Sequence, residues 1–173
     1  ATALPSGRVY ITLSTTNGSD NFVVEKNHLI ASNRDMIKQI EVPYGANFKG
    51  TLYLPEGEEP HPCIILFHTW LGKDSFIKKK AEELVETLGI ATFAADLYGD
   101  GKEARSLMMP LFLDREELRK RVVLTFDTVS KQQGVKSKRV GAVGFCFGGL
   151  AAIELFRSGS AVVGVAAFHT LLG

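Results

Sequence analysis

Four unbroken apolar runs limit what this chain can fold into: PCIILFH (62–68), IATFAAD (90–96), RVGAVGF (139–145) and AVVGVAAFH (161–169). A strand with one face in water alternates apolar and polar residues, whereas a continuous run suits a strand covered on both faces, as in a parallel sheet. Helical spacing fills the gaps between the runs. Residues 74–89 place Ile77, Ala81, Leu84, Val85 and Leu88 on one face and end at Gly89. Residues 114–134 open with Asp114 as an N-cap and Glu117 three positions on, and carry the stripe Leu118, Val122, Phe126, Val129. Residues 148–159 (GGLAAIELFRSG) give a third helix. Strand and helix in alternation predict an α/β fold with a mostly parallel sheet flanked by helices. Antiparallel hairpins precede it. Residues 35–55 pair two strands whose apolar face is Ile37, Ile40 and Val42, then Leu52 and Leu54, and residues 1–34 form an N-terminal extension or hairpin around Asn17-Gly18.

The bulk properties narrow the function classes. At 173 residues, 45% hydrophobic and 23% charged, the chain is one domain's worth of ordinary globular protein. A net charge of +1 leaves no electrostatic footprint for nucleic acid or a membrane surface. Every apolar run is far too short to span a bilayer. Cys63 and Cys146 make neither a disulfide framework nor a metal-ligand spacing, and Cys63 within its apolar run reads as a small buried hydrophobe. The chain opens Ala1-Thr2-Ala3 rather than with Met, which points to a removed leader, tag or initiator segment. A cytoplasmic protein is the default expectation, with a periplasmic or secreted one as the alternative.

In a parallel sheet, functional groups gather where strands end and loops begin. The ends here carry His68-Thr69-Trp70, Asp96-Leu97-Tyr98, Cys146 and Phe168-His169. Gly144-Phe145-Cys146-Phe147-Gly148 fits the nucleophile-elbow pattern G-x-S-x-G with Cys for Ser. A nucleophile on so sharp a strand-to-helix turn sits in strained backbone, and a Cβ two residues before or after it would collide with the chain. The helix N-terminus beneath it favours thiolate over thiol. The Phe147 N–H would face the same space and could hold an oxyanion. The bland alternative is a glycine-rich strand–helix turn around a buried thiol, or a phosphate-binding loop. His68 and His169 could equally be hydrogen-bonded wall or core histidines, Trp70 and Tyr98 could simply cap the sheet, and Asp96 reads best as a structural carboxylate accepting loop N–H bonds.

VGFCFGG (143–149), LFHTWLG (66–72) and FAADLYGDGK (93–102) together resemble the dienelactone hydrolase family of α/β-hydrolases, and the resemblance runs in order over residues 35–173. It implies a cysteine nucleophile that attacks an ester or lactone carbonyl of a small-molecule substrate, with no metal and no organic cofactor, in a monomer or homodimer. It further implies Cys146 as nucleophile, the backbone N–H groups of Phe147 and Trp70 as oxyanion donors, and His68, Thr69, Tyr98 and His169 as the substrate-pocket lining.

The sequence departs from the family at three places. Where members carry a Glu after the first parallel strand, Thr69 stands, and a hydroxyl cannot take a thiol proton as a carboxylate does. Leu97-Tyr98 is followed by Gly99-Asp100 rather than by a substrate-binding arginine; Arg105 is near in sequence. The family's order is nucleophile, acid, histidine, but no Asp and only His169 follow Cys146. The expectation is therefore an α/β-hydrolase domain lacking its C-terminal part, with the triad Asp and His beyond Gly173 and an apolar sheet edge left open. Two other readings stand beside a hydrolase: a catalytically inactive binding or scaffold protein of the same fold, and a redox-sensing thiol, for which Cys63 is a poor resolving partner.

Overall fold

A computed structural model describes residues 9–11, 22–24, 37–57, 59–99 and 104–170. Strands β1 (Val9–Ile11) and β2 (Phe22–Val24) pair antiparallel as a two-stranded sheet, with Val9 opposite Val24. The Asn17-Gly18 turn between them lies outside the described residues.

Among the described residues the main sheet holds six strands. Its members are β3 (Lys38–Tyr44), β4 (Phe48–Leu54), β5 (His61–Phe67), β6 (Ala91–Ala94), β7 (Val135–Phe145) and β8 (Val165–Phe168). They lie in the order β3-β4-β6-β5-β7-β8. The β3–β4 and β4–β6 pairs are antiparallel, and β6–β5, β5–β7 and β7–β8 are parallel. Among the described residues four helices complete the fold: α1 (Ser75–Leu88), α2 (Ala104–Leu113), α3 (Arg115–Ser130) and α4 (Phe147–Arg157). None is long and apolar enough to cross a membrane. The mixed α/β sheet flanked by helices agrees with the sequence-based expectation.

The helices begin and end where their chemistry requires. Asp74 caps α1 by accepting the Ile77 N–H (3.2 Å), and Gly89 takes the left-handed conformation (φ 62°) that closes it. Asp114 accepts the Glu117 N–H (2.9 Å), with Glu116 and Glu117 in the positive first turn of α3. The side chains sort onto two faces of the sheet. On one face Leu52, Ile65, Phe93 and Val140 pack with Leu118, Val122, Phe126 and Val129 of α3 and with Leu150, Ala151 and Leu155 of α4. On the other, Tyr53, Leu66 and Ala94 pack under Ile77, Ala81 and Val85 of α1. β8 is the outer strand, and Phe168 at its end is 54% exposed.

Three local expectations are corrected. Ile37 packs with the α1 side, opposite Ile40 and Val42, because alternation along a strand sends odd and even residues to different faces. Only residues 165–168 of the run 161–169 form strand; residues 161–164 reach β7 through two bonds, Val163 N–H to the Val140 C=O and Ala142 N–H to the Gly164 C=O. Helix α2 has no counterpart in the sequence reading, and Pro110 lies inside it.

Candidate active site

Cys146 lies between β7 and α4 with φ 55° and ψ −116°, a backbone conformation that a residue with a Cβ seldom adopts. Its N–H donates to the Phe168 C=O (2.8 Å), and its own C=O accepts the Gly149 N–H (3.0 Å), so the turn is fixed from β8 and from α4. The flanking glycines are steric necessities. A Cβ on Gly144 would lie 1.8 Å from the Gly148 carbonyl oxygen, and one on Gly148 would lie 2.2 Å from that of Phe67. The thiol is half-buried, whereas Cys63 is fully buried on β5 and burial pushes its thiol far up.

The neighbouring strand ends converge on this turn. Gly148 sits against the backbone of Phe67 and His68 at the end of β5. The Tyr98 ring lies 5.9 Å from that of Phe147 and 4.5 Å, edge-on, from that of His68. Burial first, then charge at the Cys146 thiol, raise the Tyr98 phenol, which places the two groups in one electrostatic neighbourhood. The Tyr98 hydroxyl donates to the Trp70 C=O (3.1 Å). Trp70 is 43% exposed. Thr69 turns back on its own loop, its Oγ1 accepting the Leu71 N–H (3.2 Å) and its C=O the Gly72 N–H (3.3 Å). Neither the Trp70 N–H nor the Phe147 N–H is used in a turn, loop or cap hydrogen bond among the described residues.

His68 is fully buried with both ring nitrogens engaged, Nδ1 on the Thr69 C=O (2.7 Å) and Nε2 on the Leu97 N–H (3.1 Å). Burial holds its imidazole below the ordinary range. His169 sits exposed on the turn after β8, with φ 53°. Asp96 is a loop-holding carboxylate: Oδ1 accepts the Tyr98 and Gly99 N–H groups (3.0 Å each), and Oδ2 accepts the Lys49 N–H (3.1 Å).

Two supporting residues escaped the sequence reading. Tyr44 exchanges hydrogen bonds with Asp96, its hydroxyl donating to the Asp96 C=O and accepting the Asp96 N–H. Arg121 of α3 donates from Nη1 to the Leu97 C=O (2.6 Å), beneath the same loop. An arginine on the inward edge of a helix otherwise striped with apolar residues was the available signal. A cavity of about 330 Å³ lined by Ile37, Leu54, Pro55 and Glu59 lies at the end of the sheet where the parallel strands begin, away from this chemistry. Among the described residues no group of three or more His, Cys, Asp or Glu could hold a metal ion.

A strained, half-buried thiol at a helix N-terminus has the chemistry of a nucleophile toward an electrophilic carbon. The family model described as the dienelactone hydrolase family matches residues 48–172. Among solved structures, a protein named m3DLH is 34% identical with a TM-score of 0.74, over 80% of this chain and 61% of its own. A dienelactone hydrolase-like promiscuous phosphotriesterase, P91, from metagenomic libraries is 29% identical with a TM-score of 0.73, over 78% and 60%. A dienelactone hydrolase from Anabaena variabilis, 21% identical with a TM-score of 0.57 over 77% and 62%, shares the fold. This chain thus spans about three-fifths of the length of these proteins. No curated protein matches it.

Proposed function

Since the chain belongs to the dienelactone hydrolase family, we propose that it hydrolyses carboxylic esters or lactones of small molecules through a covalent intermediate on Cys146. The observation that carries this reading is the backbone of Cys146, held at φ 55° and ψ −116° between two glycines that no larger residue could replace. Strain of that kind persists only where the surrounding structure enforces it, and it gathers at functional sites. The Cys146 thiolate adds to the carbonyl carbon, a C–S bond forms, and the C=O π pair moves onto oxygen. The N–H groups of Phe147 and Trp70 receive that oxyanion. Collapse of the adduct breaks the C–O bond and expels the alkoxide or phenolate, and water cleaves the resulting thioester, its two protons going to the leaving oxygen and to the released sulfur as carboxylate forms. Thr69, Tyr98 and His169 would form the wall around the reacting carbon, with the fully buried His68 behind it. Attack and oxyanion stabilisation are the steps these residues carry.

The likeness to P91 favours a second electrophile at the same sulfur, a phosphotriester, whose phosphoryl oxygen would use the same two donors. The test is turnover of a p-nitrophenyl ester and of a p-nitrophenyl phosphotriester by the protein and its Cys146→Ala variant, with iodoacetamide labelling as a companion. Cys-dependent nitrophenolate release, and labelling of Cys146 well ahead of buried Cys63, are expected. Release that Cys146→Ala leaves untouched, or no release with equal slow labelling of both thiols, favours a binding or scaffold role instead.

A further inference from the structure

We infer that His68 is a positioning residue: by holding the Thr69 carbonyl it orients the peptide that carries the Trp70 N–H, and so aims that donor at the carbonyl oxygen of a substrate on Cys146. The inference rests on the proposed role of the Trp70 amide as an oxyanion donor. It begins with a tautomer. The Leu97 N–H is a donor and nothing else, and it faces His68 Nε2 at 3.1 Å, so Nε2 must offer its lone pair. In the neutral ring the proton then resides on Nδ1, and Nδ1–H donates to the Thr69 C=O at 2.7 Å.

That carbonyl and the Trp70 N–H belong to a single peptide unit. The unit is planar and trans, so its C=O and its N–H point in opposite directions. Drawing the Thr69 oxygen inward onto the buried ring turns the Trp70 hydrogen outward. The next peptide unit is held independently, since the Trp70 C=O accepts from the Tyr98 hydroxyl at 3.1 Å. With the units before and after its Cα both tethered, Trp70 keeps its backbone angles although its indole remains 43% exposed. The tethers come from different strands. His68 follows β5, Leu97 and Tyr98 follow β6, and the His68 ring meets the Tyr98 ring edge-on at 4.5 Å and lies 6.4 Å from the Phe147 ring. The imidazole is thus the joint between two loops and the first residue of α4. An apolar residue of the same size would fill that volume but strip the buried Leu97 N–H and the Thr69 C=O of these partners, so the imidazole is there for its two polar atoms and not for packing alone.

The experiment compares two reactions of one sulfur. Acylation of Cys146 by p-nitrophenyl acetate develops an oxyanion; alkylation by iodoacetamide develops none at the two amides. Both adducts are followed by intact-mass spectrometry on the protein and on His68→Leu, His68→Asn and His68→Gln. His68→Leu leaves the Thr69 C=O only the longer bond from the Gly72 N–H (3.3 Å) and should slow acylation by up to about 10²–10³-fold, the scale for losing one oxyanion donor, while alkylation changes less than about threefold. His68→Asn keeps an N–H near the Nδ1 position and should restore acylation to within about tenfold of the parent. His68→Gln keeps only the acceptor for Leu97 and should stay near His68→Leu, so the Asn–Gln pair decides the matter if the Leu variant does not fold. Parent-like acylation in His68→Leu, equal loss in both reactions, or Gln matching Asn overturns the positioning role and leaves the proposed function standing. A parent protein that is alkylated at Cys146 but never acylated removes both.

Discussion

Replacing Gly148 by alanine tests why α4 can start where it does. The added Cβ would lie 2.2 Å from the Phe67 carbonyl oxygen, 2.5 Å from the Phe67 carbonyl carbon and 2.5 Å from the His68 carbonyl oxygen. All three are backbone atoms at the end of a central strand, so no side-chain rotation relieves the overlap. Ordinary contact begins near 3.4 Å, and the helix start must retreat from β5 by about 1 Å. Overpacking of this kind costs about 3 kcal/mol, which for a chain of this size lowers Tm by about 6–12 °C. The retreat carries the Phe147 amide away from the Trp70 amide, the two proposed oxyanion donors, and a misplacement of about 1 Å at a reacting centre costs about 10²-fold in rate. The assays are a thermal melt and the rate of nitrophenolate release on acylation of Cys146. Gly159→Ala is the control, since nothing lies within 4 Å of its Cβ and only its φ of +80° opposes the change; it should cost about 1 kcal/mol and leave acylation alone. A Gly148→Ala protein that melts within about 2 °C of the parent and acylates within about threefold would refute the close-approach argument.

Two further outcomes follow from buried charges. Glu154 on α4 keeps only 3% of its side chain exposed and takes two bonds from Arg119, at 2.6 and 3.1 Å, with Arg157 farther off at 3.7 Å. Arg119→Met should cost about 2 kcal/mol in urea unfolding by stranding that carboxylate, whereas Arg119→Met with Glu154→Leu should come back close to the parent; strictly additive losses would count against the pairing. His68 gives a pH dependence. Burial holds its folded imidazole low, against the smaller opposing pull of the Thr69 carbonyl and the Asp96 and Asp74 carboxylates, so the folded ring stays neutral while the unfolded one takes a proton below about pH 6.5. Its contribution to stability is complete above that value and declines as pH falls, by at most about 1.4 kcal/mol per pH unit. His68→Gln should flatten that part of the urea-midpoint profile, and an unchanged slope would reject the assignment.

Much of this was legible in the sequence where one residue answers a local demand. Gly144 and Gly148 flank Cys146 because backbone passes where their side chains would be, and spacing alone reveals that. Asp114 and Glu117 mark the start of α3, and its four stripe residues are all buried. What escaped depends on partners distant in the chain. Helix α2 hides because Pro110 interrupts it and its apolar residues fall in consecutive triplets rather than at helical intervals. Strand β8 is shorter than its apolar run because pairing with β7, and not hydrophobicity, sets its length. His68 is visible as a residue at a strand end, but the atoms that satisfy its two nitrogens, on Thr69 and Leu97, follow only from the packing of β5 beside β6.

Strands β4 and β5 are consecutive in the chain but are not neighbours in the sheet, because β6 lies between them, antiparallel to one and parallel to the other. Joining the two halves of the sheet therefore waits on a segment some 30 residues farther along than β5. As the chain leaves a ribosome, the first hairpin can zip locally, yet its inner edge stays unpaired until residue 94 has emerged and α1 has crossed over. That interval is when an unwanted strand could dock in the slot, and closing it is a long-range step of the kind that slows folding.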